Sequence, residues 1–298
     1  VSRAGFVALI GRPNAGKSTL LNRLTGEKLA IVSPRPQTTR NRITGVRNHG
    51  EAQIVFVDTP GLHPAGGKLG EFMRKTVERA LEDVDLVCVV VDATHRAHPD
   101  QEVLQALGRH PAPAFCLLNK ADRVEPRGRL LPVIDAWRRA HPFREILPIS
   151  ALDGTNCDRL LDLVAAAMPE HPPFFPAGTT TDQPETFYVA EAIREKVFLL
   201  TQEEVPYAVA VTVDRLGERE RPTPRLDIDA TVFVERESQK GILIGKGGSM
   251  LKRIGTSART ELERFFGIPV VLRLTVQVRP GWRRDERALR EFGFRLTS

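Results

Sequence analysis

Cysteine is scarce: Cys88, Cys116 and Cys157 are the only three among 298 residues, at spacings that suit neither a metal site nor a redox pair. Cys88 and Cys116 fall inside apolar runs and read as small buried hydrophobes, a usage that fits a reducing cytosol and a cytoplasmic protein. Long apolar stretches are lacking too. Unbroken runs such as Leu86–Val91 stop far short of the ~20 residues that span a bilayer. That excludes a membrane-spanning helix and leaves peripheral contact with a membrane face open. No secretion signal is expected, because the chain enters a strand pattern almost at once. Internal repeats are absent.

What is present is enough chain for two domains. Its net charge of +6 favours a polyanionic partner without naming one. Up to about Met168, runs rich in Val, Ile and Leu alternate with helical patterns. Phe6–Ile10, Ile54–Val57, Leu86–Val91, Phe115–Leu118 and Ile146–Pro148 predict strands. Lys17–Thr25, Gly70–Leu81, Asp100–Leu107, Leu130–Ala140 and Asp158–Ala167 predict the helices between them. Residues 1–168 therefore read as an α/β domain, a mostly parallel sheet with helices on both faces. Ligands of such folds bind beyond the carboxyl ends of the strands. Residues 169–186 turn Pro-, Thr- and Gly-rich, lose periodicity and read as a linker. Beyond it, Phe187–Leu200 is helical in spacing, Tyr207–Asp214 and Asp227–Glu235 alternate like strands, Met250–Phe266 is helical and Val270–Val278 alternates again. Residues 187–298 are thus an α+β domain.

Directly after Phe6–Ile10 stands Gly11-Arg12-Pro13-Asn14-Ala15-Gly16-Lys17-Ser18-Thr19. Gly-x4-Gly-Lys-Ser between a strand and a helix is a specific phosphate-loop signature. Its glycines let backbone N–H groups close on phosphate oxygens at the N-terminus of the next helix, along the stretch from Asn14 and Ala15 to Ser18 and Thr19. Lys17 is placed against the β- and γ-phosphates, and the Ser18 hydroxyl against Mg²⁺. Asp58-Thr59-Pro60-Gly61 follows Ile54–Val57: Asp58 reaches Mg²⁺ through water, and the Gly61 N–H meets the γ-phosphate. Thr38-Thr39-Arg40 lies between the two, where a switch loop supplies a metal-binding threonine. Thr39 is the choice and Thr38 the alternative.

Asn119-Lys120-Ala121-Asp122 ends the strand Phe115–Leu118. Asp122 can accept from the N1–H and exocyclic amine of guanine, while Lys120 lays its stem on the base. Adenine offers neither donor, and a site built on such bonds discriminates by up to ~10⁴–10⁵. Ser150-Ala151, after Ile146–Ile149, is expected to brace the guanine through a backbone N–H. The order of these motifs, each at a strand end, specifies a guanine nucleotide, GTP or GDP. Lys17, Thr39, Gly61 and Asn14 are the catalytic candidates.

Charge is uneven downstream: residues 185–237 hold 7 basic and 12 acidic side chains, residues 238–298 hold 13 and 5. The basic stretch contains Gly245-Lys246-Gly247-Gly248, after Ile242–Ile244 (strand or helix) and before the amphipathic Met250–Phe266. A Gly-x-x-Gly turn in that setting matches the KH pattern. The glycines admit a sugar-phosphate backbone, Lys246 supplies charge, and the groove beginning at Ile244 receives unstacked bases. Lys252 and Arg253, with Arg259, are placed to meet phosphates. Arg283, Arg284, Arg287 and Arg290 form a basic C-terminal helical patch, equally readable as solvated surface, and Trp282 beside them is a packing anchor.

With Gly-Arg-Pro-Asn-Ala-Gly-Lys-Ser, Pro-Gln-Thr-Thr-Arg, Asp-Thr-Pro-Gly-Leu-His, Asn-Lys-Ala-Asp and Ser-Ala-Leu in one half and Gly-Ile-Leu-Ile-Gly-Lys-Gly-Gly in the other, the chain resembles the Era family of ribosome-assembly GTPases over essentially its whole length. The resemblance implies a P-loop GTPase domain followed by a type II KH domain. It implies Mg²⁺-dependent hydrolysis of GTP to GDP, binding of 16S rRNA near its 3′ end, and work in assembly of the small (30S) ribosomal subunit. A cytoplasmic monomer is expected, with peripheral association at the inner membrane left open. Leu62 stands where many regulatory GTPases carry a water-orienting glutamine, so switch-loop backbone or a partner must hold the attacking water. His63 reads as a loop residue rather than a general base. Asn14 is expected to help bind a K⁺ ion, as in similar GTPases with asparagine there, or else to stabilise the loop. The rival readings are an RNA-binding protein with GTP as a static ligand and a membrane-surface GTPase.

Overall fold

The computed structural model describes residues 2–33, 35–62, 66–95, 98–219 and 224–294; His63 lies outside them. Two compact units emerge, residues 1–65 with 70–182, and residues 183–298 with 66–69.

In the first unit, β1 (Arg3–Ile10) runs through the middle of a sheet, which is why Val7, Ala8, Leu9 and Ile10 are all buried with no polar alternation. It pairs in parallel with β3 (Ala52–Asp58) on one side and β4 (Leu86–Asp92) on the other. β5 (Ala114–Asn119) and β6 (Glu145–Pro148) extend the parallel set. The sequence predicted no strand at β2 (Ile43–His49), which pairs antiparallel with β3 and completes the order β2-β3-β1-β4-β5-β6. Thr44, Gly45 and Asn48 break its apolar pattern. Gly45 is nonetheless required, since a Cβ there would lie 2.6 Å from Thr25 Cγ2 and 2.8 Å from Leu21 Cδ1.

Helices α1 (Lys17–Thr25) and α5 (Cys157–Ala167) pack together on the β2–β3 side. α2 (Gly67–Glu82), α3 (Gln101–Gly108) and α4 (Leu130–Ala140) enclose a separate core with Ile10, Val89 and Leu118. Cys88 and Cys116 are buried in β4 and β5, where desolvation pushes both thiols above their usual range, as suits packing residues. Sheet order reverses around β1, opening a crevice at its carboxyl end.

Residues 169–186, expected to be a linker, are bonded to the first unit over much of their length. Residues up to 182 belong to the first unit, and the Pro-rich stretch is tied down along it. Ala4 N–H donates to Pro169 O (3.1 Å), and the Gln53 amide exchanges two hydrogen bonds with the Phe175 backbone (2.9 Å each). Val46 N–H donates to Thr180 O (2.8 Å), satisfying a group on the edge strand β2. Lack of periodicity here marks an extended, edge-covering segment.

The second unit begins with α6 (Glu185–Leu200), followed by β7 (Ala210–Arg219), β8 (Arg225–Val234), α7 (Glu237–Ile244), α8 (Ser249–Phe266), β9 (Val270–Val278) and a short α9 (Glu286–Glu291). β8 is central, antiparallel to β7 and parallel to β9. Its alternating Leu226, Ile228, Ala230, Val232 and Val234 pack on Val189, Ile193 and Val197 of α6 and Ile254, Ala258 and Leu262 of α8. The strand predicted over Tyr207–Asp214 begins later, because a 3-10 turn takes Val205–Ala208. Ile242–Ile244 proves helical. Trp282 is fully buried, donates from Nε1 to Ala208 O (2.9 Å) and packs on Phe292 and Phe294: a packing anchor.

Candidate nucleotide site and nucleic-acid interface

The loop from Gly11 to Gly16 joins β1 to α1 in a shape only glycine permits at its ends. Gly11 (φ 147°) lies so close to β4 that a Cβ would stand 2.2 Å from Val90 O. Gly16 (φ 98°) would place one 2.2 Å from Asn119 Nδ2. Lys17, the first residue of α1, is buried against the loop, its Nζ donating to Gly11 O and Arg12 O, both at 3.1 Å. Desolvation lowers this ammonium to about 8, against the pull of Asp58.

Ser18, Thr39 and Asp58, the three expected metal ligands, converge. Ser18 Oγ is 2.7 Å from Thr39 Oγ1 and donates to Asp58 Oδ2 at 2.6 Å; Thr39 Oγ1 lies 3.4 Å from the same oxygen. Thr39, the chosen threonine, is therefore at the cluster, while the Thr38 hydroxyl donates to Arg35 O (2.7 Å). Burial pushes the Asp58 carboxyl above its usual range, opposed by Lys17 and the two hydroxyls. Its Oδ1 is buried with no hydrogen-bond partner among the described residues. Two hydroxyls and an unpartnered carboxylate oxygen form the hard-oxygen donor set that suits Mg²⁺. Gly61 presses on the loop, where a Cβ would be 2.7 Å from Pro13 N, and the Leu62 N–H donates to Gly11 O (3.0 Å). The Leu62 side chain packs on the α2–α3 core.

These residues open onto a cleft of about 500 Å³ whose lining includes Asn14, Gly16, Lys17, Ser18, Thr19, Thr39, Gly61, Asn119, Lys120, Asp122 and Ala151. At the base end, Asn119 is buried and braces two loops, with Nδ2 donating to Ala15 O (2.8 Å) and Oδ1 accepting from Ala151 N–H (2.9 Å). The Ser150 and Ala151 N–H groups, meant for the guanine, are spent inside the protein, on Thr155 O (3.0 Å) and Asn119 Oδ1. Ala151, with Leu152 after it, lines the wall of the site, and Ser150 is buried behind it.

Lys120 has φ 64°, and its ammonium is held by Asp92 at the end of β4. Burial would raise the Asp92 carboxyl, but Lys120 and Thr94 hold it below the usual range. Sequence reasoning missed Asp92. The available signal was a carboxylate closing an apolar strand at the sheet's carboxyl edge.

In the second unit Gly245 (φ 72°), Gly247 (φ 59°) and Gly248 (φ 79°) turn the chain from α7 into α8. Gly245 is close-packed, since a Cβ would meet Met250 Cβ at 2.8 Å, whereas Gly247 and Gly248 face open space. α8 starts with no side-chain cap, so its first N–H groups are available to an anion. Beside it a groove of about 320 Å³ is lined by Leu251, Gly255, Leu272 and Leu274, with Lys252 and Arg259 among its charged residues. Lys246 and Arg253 are exposed, and Ile244 packs against the core behind the turn. The C-terminal patch is less free than its sequence suggests. Arg283 pairs with Glu235, and Arg287 lies 3.3 Å from Glu291. Its helix spans only Glu286–Glu291.

Comparison with known proteins adds the relatives. A family described as "50S ribosome-binding GTPase" matches residues 6–120, and a KH-domain family matches residues 204–283. GTPase Era of Geobacter metallireducens is 50% identical over 98% of both chains. That of Syntrophus aciditrophicus is 49% identical over 98% of this chain and 95% of its own. Among solved structures, an Era in complex with MgGDPNP and nucleotides 1506–1542 of 16S ribosomal RNA matches with TM-score 0.96 and 42% identity, covering 99% of this chain and 100% of that one. An Aquifex aeolicus Era variant bound to GDP and AlF4⁻ gives TM-score 0.95 and 42% identity over the same shares.

Proposed function

The chain belongs to the Era family of GTPases, and on that premise we propose that it couples GTP hydrolysis in its first unit to a grip on the 3′ region of 16S rRNA by its second, during assembly of the small ribosomal subunit. One observation carries the reading: a single chain joins a Ser18–Thr39–Asp58 cluster, built on the buried Asp58 beside a phosphate loop, to a Gly-x-x-Gly turn beside an apolar groove. The related Era solved with 16S rRNA nucleotides supports the choice of RNA.

Ser18, Thr39 and Asp58 would hold Mg²⁺, which when bound offsets phosphate charge. Lys17 places a positive charge against the β- and γ-phosphates. The Gly61 N–H donates to the γ-phosphate, so that loss of this phosphate releases the segment after Asp58. Asp122 selects guanine through its two donors, and Lys120, held by Asp92, covers the base. Asn119 keeps the phosphate and base walls in register. Leu62 is apolar and turned to the core, so the attacking water is oriented by backbone groups or a partner rather than by this side chain. Asn14 would help hold a K⁺ ion, which when bound would offset negative charge on the phosphates; equal single-turnover rates in K⁺ and Na⁺ buffers would dismiss that role. In the second unit, Ile244 borders the base groove, Gly245 to Gly248 pass the RNA backbone, and Lys246, Lys252 and Arg253 meet its phosphates.

Among the described residues no helix is long and apolar enough to cross a membrane. A monomer working in the cytoplasm, with peripheral contact at the inner membrane, completes the proposal; light scattering and liposome sedimentation with RNA competition check these points. The central experiment measures binding of a 16S 3′-end oligonucleotide with GDPNP, with GDP and without nucleotide. Tighter binding with GDPNP is expected. Equal affinity in all three states would remove the coupling.

A further inference from the structure

The base wall of the cleft is fixed from an unexpected direction. Ala151 and Leu152 both line the cleft, and they follow β6 at the sheet edge remote from the phosphate loop's own strand. Their carbonyls face α1. Arg23, near the end of that helix, donates from Nε to Ala151 O (3.2 Å) and from Nη2 to Leu152 O. Its guanidinium also approaches the turn at Gly154, whose Cβ position lies 3.7 Å from Nη1.

The same peptide is gripped on its other side. Ala151 N–H donates to Asn119 Oδ1, and Asn119 Nδ2 donates to Ala15 O in the phosphate loop. α1 therefore holds both ends of the nucleotide site: its N-terminus closes the phosphate loop, and Arg23 pins the loop against which the base rests. A planar guanidinium suits this task, because its donors form a rigid fork that can meet two successive carbonyls at once.

We propose that Arg23 is a positioning residue for the guanine base, setting nucleotide affinity by fixing the Ala151–Leu152 peptides without touching the phosphates or the reacting atoms. The proposal rests on the guanine-nucleotide reading of the cleft. Loss of Arg23 should weaken GDP and GTP binding equally, by about tenfold, the scale of one or two charge-assisted hydrogen bonds. Because the phosphate end is untouched, kcat and the dependence on Mg²⁺ concentration should stay at wild-type values while KM rises.

The experiment titrates full-length wild type, Arg23→Ala and Arg23→Lys with fluorescently labelled GDP and GTP, measures steady-state GTP turnover, and records thermal unfolding without nucleotide. Wild type that ignores both nucleotides defeats the guanine reading itself, separately from Arg23. Given wild-type binding, support is an equal loss for GDP and GTP at unchanged kcat, with Arg23→Lys still weakened, since an ammonium lacks the fork. Three results overturn the proposal: unchanged affinity in Arg23→Ala; full rescue by lysine, which would make charge alone sufficient; or a fall in kcat together with unfolding temperature, the mark of a general packing defect.

Discussion

Replacing Asn119 by alanine tests the central brace. The side chain is 2% exposed and joins two backbone groups that are themselves on buried residues, Ala15 O and Ala151 N–H. Alanine leaves both without their partner. An unsatisfied buried backbone group costs ~1–3 kcal/mol, so the pair should cost roughly 2–5 kcal/mol once partial relaxation is allowed. For a unit of this size ~2–4 °C accompanies each kcal/mol, so a fall of roughly 4–20 °C in the first unit's unfolding temperature follows. Calorimetry of the nucleotide-free protein reads this directly. GDP affinity should fall as well, because the lost bonds tie the phosphate wall to the base wall. Asn119→Asp is the sharper control. It keeps an acceptor for Ala151 N–H but turns an oxygen toward Ala15 O, so it should do no better than alanine. An unfolding temperature and GDP affinity both matching wild type would refute the bracing role.

Lys17 gives a pH signature. Its folded value of about 8 lies below the ordinary 10.5, so between these values the unfolded chain holds a proton the folded one lacks. Stability of the nucleotide-free protein should therefore rise with pH across that window. Bound phosphates favour the charged amine, so nucleotide binding near pH 9 should take up a proton and weaken as pH climbs. Calorimetric titration of GDP in two buffers of different ionisation enthalpy decides, and no uptake at pH 9 contradicts the reading. In the second unit, Gly247→Asp sets a carboxylate in open space on the proposed backbone path. RNA affinity should drop at least about tenfold through loss of the charge-assisted phosphate contacts, with RNA-free GTP turnover unchanged; retained RNA affinity would move the path elsewhere. Lys252→Gln should lower the salt slope of RNA binding by about 0.7, the share of one phosphate contact on a single strand, and an unaltered slope would free Lys252 of that role.

Much of the site was legible because its chemistry is local. Gly11 to Ser18, Asp58 to Gly61 and Asn119 to Asp122 each need fixed residue types over a few positions at a strand end, and that requirement is written in order along the chain. The parallel strands were legible for a related reason: buried on both faces, they read as unbroken apolar runs. β2 escaped because it sits at an edge, with Thr44, Gly45 and Asn48 interrupting the pattern and Gly45 kept small for α1. Residues 169–182 escaped because an extended segment bonded through its backbone leaves no side-chain period to detect.

Residue types alone specified which nucleotide base is read and that a Gly-x-x-Gly turn faces a groove. Folding decided the partnerships across distance: Asn119 with Ala15, Lys120 with Asp92, Arg23 with Ala151 and Leu152, and the Ala151 N–H with a side chain instead of a base. Many of these bonds end on backbone carbonyls or amides, which every residue carries alike. Sequence can announce a side chain's chemistry, but only the packed chain determines which backbone group comes within its reach.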